Sequence, residues 1–195
     1  MNSTDYSSYV NESFERTVTA LLQSKNLSDI IVKAAMSIVN SFNNGGKVLL
    51  IGNGGSASDA SHMAGELIGR FQRERSPLPA IALTTDNSVI TAIANDFGYD
   101  QVFARQCLGL LKPGDVLIAI STSGNSKNII KAVLECKNLK QVVKIALTGF
   151  SGGILTALTD ISITVPSDNT ATIQEVHRAI IHIICSIIDD QYVQK

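Results

Sequence analysis

The stretch VLLIGNGGSASDASHMAGEL, Val48 to Leu67, constrains the fold more than any other part of the chain. Val48, Leu49, Leu50 and Ile51 form a short branched apolar run of the kind that makes a buried strand. Gly52, Asn53, Gly54 and Gly55 break the run, and Ser56, Ala57, Ser58, Asp59 and Ala60 open a helix. A strand that turns through glycines into a helix start leaves unpaired N–H groups aimed at one spot, at the positive end of the helix dipole. That is a ready anion site, and glycines let a ligand approach the backbone. His62 and Glu66, one turn further on and four apart, share a face of this helix.

From Lys47 onward apolar runs alternate with helical stretches. The strands are expected at Lys47–Ile51, Ala80–Thr84, Val116–Ser121, Val142–Thr148 and Ile161–Val165. Helices are expected near Ser58–Arg70, Asn87–Asn95, Asp100–Leu111, Ser126–Lys137 and Leu155–Leu158, with a last long one from about Thr170. The alternation predicts an α/β fold, a doubly wound five-stranded parallel sheet flanked by helices, whose ligands sit beyond the carboxyl ends of the strands. Two leading helices precede it, Thr4 to Lys25 and from Asn26 to a stop at Asn43-Asn44-Gly45-Gly46. Their broad apolar faces need a partner, either the chain's own sheet or a second copy of the same helices. Arg73–Pro79 reads as a polar break too short to separate domains.

Composition excludes several classes. A net charge of −1, without any block of like charge, gives no footprint for nucleic acid. The N-terminus is polar, with no signal-type segment and no membrane span. Cys107, Cys136 and Cys185 lack metal-type spacing and sit in apolar contexts, as core residues of a reducing compartment do. These features predict a cytoplasmic protein.

A second loop, Ser121-Thr122-Ser123-Gly124-Asn125-Ser126, follows a strand and precedes a helix. Its hydroxyls and free N–H groups suit a phosphate monoester, or else it is a serine-rich capping turn. It is no P-loop, since GK[ST] is absent. Gly52, Gly54 and Ala57 fit the dinucleotide pattern G-x-G-x-x-A, but the acidic residue that pattern needs about 20 positions on is missing; the first after the second strand is Asp86. Glu66 with His62 reads as a pair of metal ligands or as a general base. His182 lies among isoleucines as a core residue or an acid/base group. Gln174 precedes it by eight positions, about 12 Å along a continuous helix. His177 reads as solvent-facing or structural, and Asn95-Asp96 as sugar contacts or a turn.

Taken together, GNGGSASDASH…E, ANDFGYD, STSGNS and IQEVH…H resemble the sugar-isomerase (SIS) domain family, and within it the branch that isomerises heptose phosphates. The resemblance spans nearly the whole chain. It implies one SIS domain over 1–195, with 1–45 used in oligomerisation and 46–195 binding the sugar phosphate. It implies a homotetramer with active sites at subunit interfaces, acting on a small-molecule sugar phosphate and on neither nucleic acid nor membrane. The implied reaction interconverts sedoheptulose 7-phosphate and D-glycero-D-manno-heptose 7-phosphate, feeding nucleotide-activated heptose for surface polysaccharide.

By the same resemblance Asn53, Gly54 and Gly55 contact substrate, Ser121, Thr122, Ser123 and Ser126 bind its phosphate, and Asn95 and Asp96 hold the sugar. Glu66 and His182 become the acid/base pair, and His62, Glu66, Gln174 and His182 hold one zinc per subunit. Thr172 stands where the family often has arginine, in RIQE. Moving a carbonyl between C1 and C2 through an enediol needs a base at carbon and a proton shuttle between the oxygens, and one carboxylate with one histidine suffices. The rival class is a non-enzymatic SIS protein, either one associating with the bacterial replication initiator or a sugar-phosphate-sensing regulator. The first type lacks the residues matching Glu66 and His182, and no helix-turn-helix segment is present for the second.

Overall fold

The computed structural model describes residues 3–193. Strands β1 (Val48–Gly52), β2 (Ala80–Ala82), β3 (Val116–Ser121), β4 (Val143–Gly149) and β5 (Ile161–Val165) form one parallel sheet in the order β2-β1-β3-β4-β5. Every residue of β1 and β3 is buried, as a sheet covered on both faces requires. Alternate side chains go to opposite faces. Val48, Leu50, Ile118, Ile120, Ile145 and Leu147 feed one core, and Leu49, Ile51, Leu117, Ala119 and Ala146 the other.

Helices α1 (Ser3–Gln23), α2 (Ser28–Asn43), α3 (Gly55–Ile68) and α7 (Thr170–Tyr192) lie over the first core. Helices α4 (Asn87–Phe97), α5 (Val102–Leu110) and α6 (Lys127–Glu135) cover the second. Helix α2 buries Ile31, Ala34, Ala35, Ile38 and Val39 and ends at the expected asparagine-glycine stop. Helix α1 buries little: Tyr9 is 65 % and Phe14 69 % exposed, in a stripe with Tyr6, Val10 and Val18. By length and hydropathy α7 is apolar enough to cross a membrane, yet half of it is buried inside the fold, where Ile173, Val176, Ile180, Ile181, Ile184 and Ile188 face the sheet and its neighbours.

The sheet order has its switch point between β1 and β3, since the chain leaves β1 toward β2 and returns on the other side. The two loops singled out above, after β1 and after β3, flank that point, where a ligand crevice forms. Helix α3 starts at Gly55, one turn before the expected Ser58, because Gly54 adopts a φ of +55° and swings the chain directly into the helix. Strand β2 is a short edge strand; Leu83 still donates its N–H to Leu50, but Thr84 turns away to meet Ser61.

His177 is fully buried, so of the two expectations for it the structural one holds. Its Nε2 lies 3.0 Å from the Thr148 carbonyl and donates to it, which leaves Nδ1 buried without a partner. Burial pushes its pKa below the ordinary imidazole value of 6.5, against the opposing pull of the Thr148 carbonyl and Asp59. The unfolded chain therefore binds this proton more readily than the fold does, and stability is lost as pH falls from about 6.5 toward the depressed value. Melting temperatures measured from pH 7.5 down to 5 are expected to fall, and His177→Gln to fall less steeply over that window.

Candidate functional site

At the strand tips, the loop after β1 and the loop after β3 are tied together by side chains. Asn53 and Asn128 exchange amide hydrogen bonds, Asn53 Nδ2 to Asn128 Oδ1 at 2.8 Å and Asn128 Nδ2 to Asn53 Oδ1 at 2.9 Å. The Ile129 N–H also donates to Asn128 Oδ1, which fixes the orientation of both amides. Tyr99, just beyond α4, donates its hydroxyl to Asn53 Oδ1 at 3.1 Å. With Oδ1 accepting twice, Asn53 has one N–H left to offer a ligand.

The second loop is held by the Ser121 and Ser126 hydroxyls, 3.1 Å apart, and by Gly124, whose φ of +65° no branched residue adopts readily. A Cβ on Gly124 would also run into the Gly152 carbonyl. Helices α4 and α7 carry side-chain caps, Asp86 accepting from Val89 N–H and Asn169 from Thr172 N–H. Helices α3 and α6, which begin at the two switch-point loops, have none. In the first turn of α3 the Ser56 and Ala57 N–H groups bond the Asn53 and Gly54 carbonyls, and in α6 the Ile129 N–H bonds Asn128 Oδ1, while the hydroxyl-rich loop from Ser121 to Ser126 leads directly into α6.

The second half of the site is formed by α3 and α7, which run parallel in register. Gln174 packs its amide on Gly55, Arg178 bonds Asp59 Oδ1 through Nε (2.9 Å) and Nη2 (2.6 Å), and His182 Nε2 lies 2.8 Å from His62 Nε2. One helical turn separates each contact from the next on both helices. Glu66 Oε1 is 3.5 Å from His62 Nε2, and ligand atoms of His62, Glu66 and His182 all lie within 4.8 Å of one another. All three are half-buried. Phe71, in the loop after α3, stacks on the His182 ring at 5.3 Å between centroids. Burial and the nearby Arg178 guanidinium push His62 below the ordinary imidazole value; Glu66 pulls the other way.

The structure thus brings Glu66 and His182 together with His62. It brings Asn53, Gly54, Gly55 and Gln174 to the strand tips, beside the loop of Ser121 to Ser126. It does not bring these two groups together within one protomer, because Glu66 lies about 16 Å along α3 from Gly55. Gln174 stands at the Gly55 level, about 12 Å up α7 from His182. Asn95 and Asp96 are exposed at the end of α4 and hydrogen-bonded to each other at 2.8 Å. Thr172 is buried in the first turn of α7. Sequence reasoning passed over Tyr99, Asn128 and Phe71. Tyr99 lies inside the ANDFGYD motif but had no role read for it, and the only signal for Asn128 was its nearness to STSGNS.

The SIS-domain family pattern matches residues 8–149, which span the sheet from β1 to β4 and both switch-point loops, and the chain belongs to that family. Within it, a phosphoheptose isomerase of Campylobacter jejuni is 49% identical over 175 residues, covering 90% of this chain and 87% of that one. One from Roseiflexus is 52% identical over 160 residues, 82% of this chain and 81% of that one. The structure of a phosphoheptose isomerase from Francisella tularensis superposes with a TM-score of 0.91 at 45% identity, covering 97% of this chain and all of the other.

Asn128→Leu breaks the amide pair and strands the Asn53 groups. It is expected to cost about 1–3 kcal/mol in denaturant unfolding, and Tyr99→Phe, which removes one exposed bond, distinctly less.

Proposed function

We propose that this chain is an aldose–ketose isomerase that interconverts sedoheptulose 7-phosphate and D-glycero-D-manno-heptose 7-phosphate through an enediol. The observation that carries the chemistry is the meeting of Glu66 and His182 from distant parts of the chain in one half-buried group. The Glu66 carboxylate takes the proton from the carbon beside the carbonyl and returns it to its neighbour. His182 moves a proton between the two oxygens, its ring held by Phe71 and His62. The phosphate is anchored by Ser121, Thr122, Ser123 and Ser126, the Asn53–Gly55 loop contacts the sugar with Gln174, and Asn95 and Asp96 meet its hydroxyls. Anchoring the phosphate far from the reacting carbons fixes their position.

His62, Glu66 and His182 offer two imidazole nitrogens and a carboxylate, a donor set that suits zinc with an open position. Zinc held there supplies Lewis-acid polarisation of the sugar carbonyl. Gln174 is too far up α7 to join this set from the same protomer, so its ligand role belongs to a site shared between subunits.

The distance between the two halves of the site supports a shared active site. A seven-carbon phosphate does not span α3 from Gly55 to Glu66, so the phosphate loop of one subunit serves the acid/base pair of another. A homotetramer is the assembly we propose, with residues 1–45 making its contacts and 46–195 the catalytic core of a single domain. The exposed stripe on α1 supports it, together with a groove of about 540 Å³ between α1 and the start of α7. The three free, buried thiols fit a cytoplasmic location.

Glu66→Gln and His182→Ala that still assemble are each expected to lose isomerisation by about 10²–10⁴-fold, and near-normal turnover removes that residue from the mechanism. Mixing inactive Glu66→Gln with inactive Ser126→Asp is expected to restore part of the activity, because hybrid oligomers hold some intact sites. Elemental analysis of untagged protein is expected to find about one zinc per chain, lost with activity on chelation and regained on adding the metal.

A further inference from the structure

Arg75 lies in the stretch that reads from sequence as a polar break, yet its side chain is 0 % exposed and paired with Asp189, 1 % exposed. Nε donates to Asp189 Oδ1 at 2.7 Å. Nη1 donates to the Leu67 carbonyl at 2.8 Å and to that of Ser76 at 3.1 Å, and Nη2 to the Glu66 carbonyl at 2.8 Å. Asp189 Oδ2 accepts the N–H groups of Gln72 and Arg73 at 2.8 and 3.0 Å. One guanidinium therefore takes up carbonyls of the last turn of α3, which no intrahelical donor reaches, and ties them to α7. Asp189 lies two turns beyond His182 on α7, in the same direction from the helix axis.

We propose that Arg75 and Asp189 are positioning residues that set Glu66 against His182. The inference rests on reading those two as the acid/base pair. The Glu66 backbone is held at its own carbonyl, so the point from which its side chain departs is fixed relative to the helix that carries His182. A buried ion pair contributes little net stability compared with an apolar pair of the same volume, so what this one supplies is geometry. An apolar pair would fill the space but leave the Glu66 carbonyl without its donor and the Leu67 carbonyl with only the Leu78 N–H. Lysine, with a single point of charge, cannot reach Asp189 and both carbonyls at once.

The test compares the wild type with Arg75→Met/Asp189→Leu, whose apolar pair keeps the core filled, and with Arg75→Lys, which keeps the buried charge paired. Assembly and melting are followed together with steady-state kinetics on sedoheptulose 7-phosphate. The double variant is expected to fold and assemble, with KM within about threefold of wild type and kcat reduced more than about thirtyfold, and Arg75→Lys to fall between. A folded variant with kcat within about threefold of wild type, or with its loss confined to KM, overturns the proposal. Crystal structures of the wild type and Arg75→Lys read the geometry without turnover: a Glu66 carboxylate displaced from His182 supports the proposal, and an unmoved one overturns it. A wild type with no turnover sinks the isomerase reading, and the positioning role then stands or falls on those structures.

Discussion

The parallel contact of α3 with α7 is the constraint on which the candidate site depends. Its rungs are a glutamine amide on glycine, an arginine on a buried aspartate, and two imidazoles nitrogen to nitrogen. Each rung demands a particular residue on both helices. A side chain at position 55 would push the Gln174 amide out of the space it occupies beside Gly55. Asp59 is buried, so Arg178 supplies the charge that offsets its desolvation. If α7 were to slide by one turn, His182 would leave His62 and Glu66, and every other rung would break with it.

This arrangement divides the chemistry along the length of one helix. The positive end of α3 lies at the strand tips, and its later turns carry His62 and Glu66, which meet His182 of α7. An α/β domain gathers ligand groups at one edge of its sheet, so on the function proposed above Glu66 and His182 rely on the strand tips of a second copy. The exposed apolar stripe on α1 is the surface we assign to that contact in the proposed assembly.

Much of the fold was legible because its signals are local. Short branched runs gave the strands, glycines gave the turns, and the asparagine-glycine stop closed α2 where expected. Glu66 and His62 were legible from their spacing, and His182 from being a polar residue in an apolar row. What stayed hidden depends on contacts between distant segments. Nothing around Arg75 distinguishes it from its exposed neighbours Arg73 and Glu74, because the carbonyls and carboxylate that hold it come from two helices. Asn128 looked like an ordinary helix-start residue until Asn53 was placed opposite. The separation of Gln174 from His182 follows from an unbroken α7, while the separation of the phosphate loop from Glu66 became visible only once α3 had a direction relative to the sheet.

The bare starts of α3 and α6 have a consequence for the resting molecule. Two helix dipoles start at the same crevice without an N-cap side chain, with only the Ile129 N–H of α6 met by its own Asn128, whereas α4 and α7 are capped by Asp86 and Asn169. The positive ends of both dipoles therefore favour negative charge at that edge of the sheet. On the function proposed above, a phosphate monoester held there links its own supply to the stability of the fold, by an amount set by its concentration relative to its Kd.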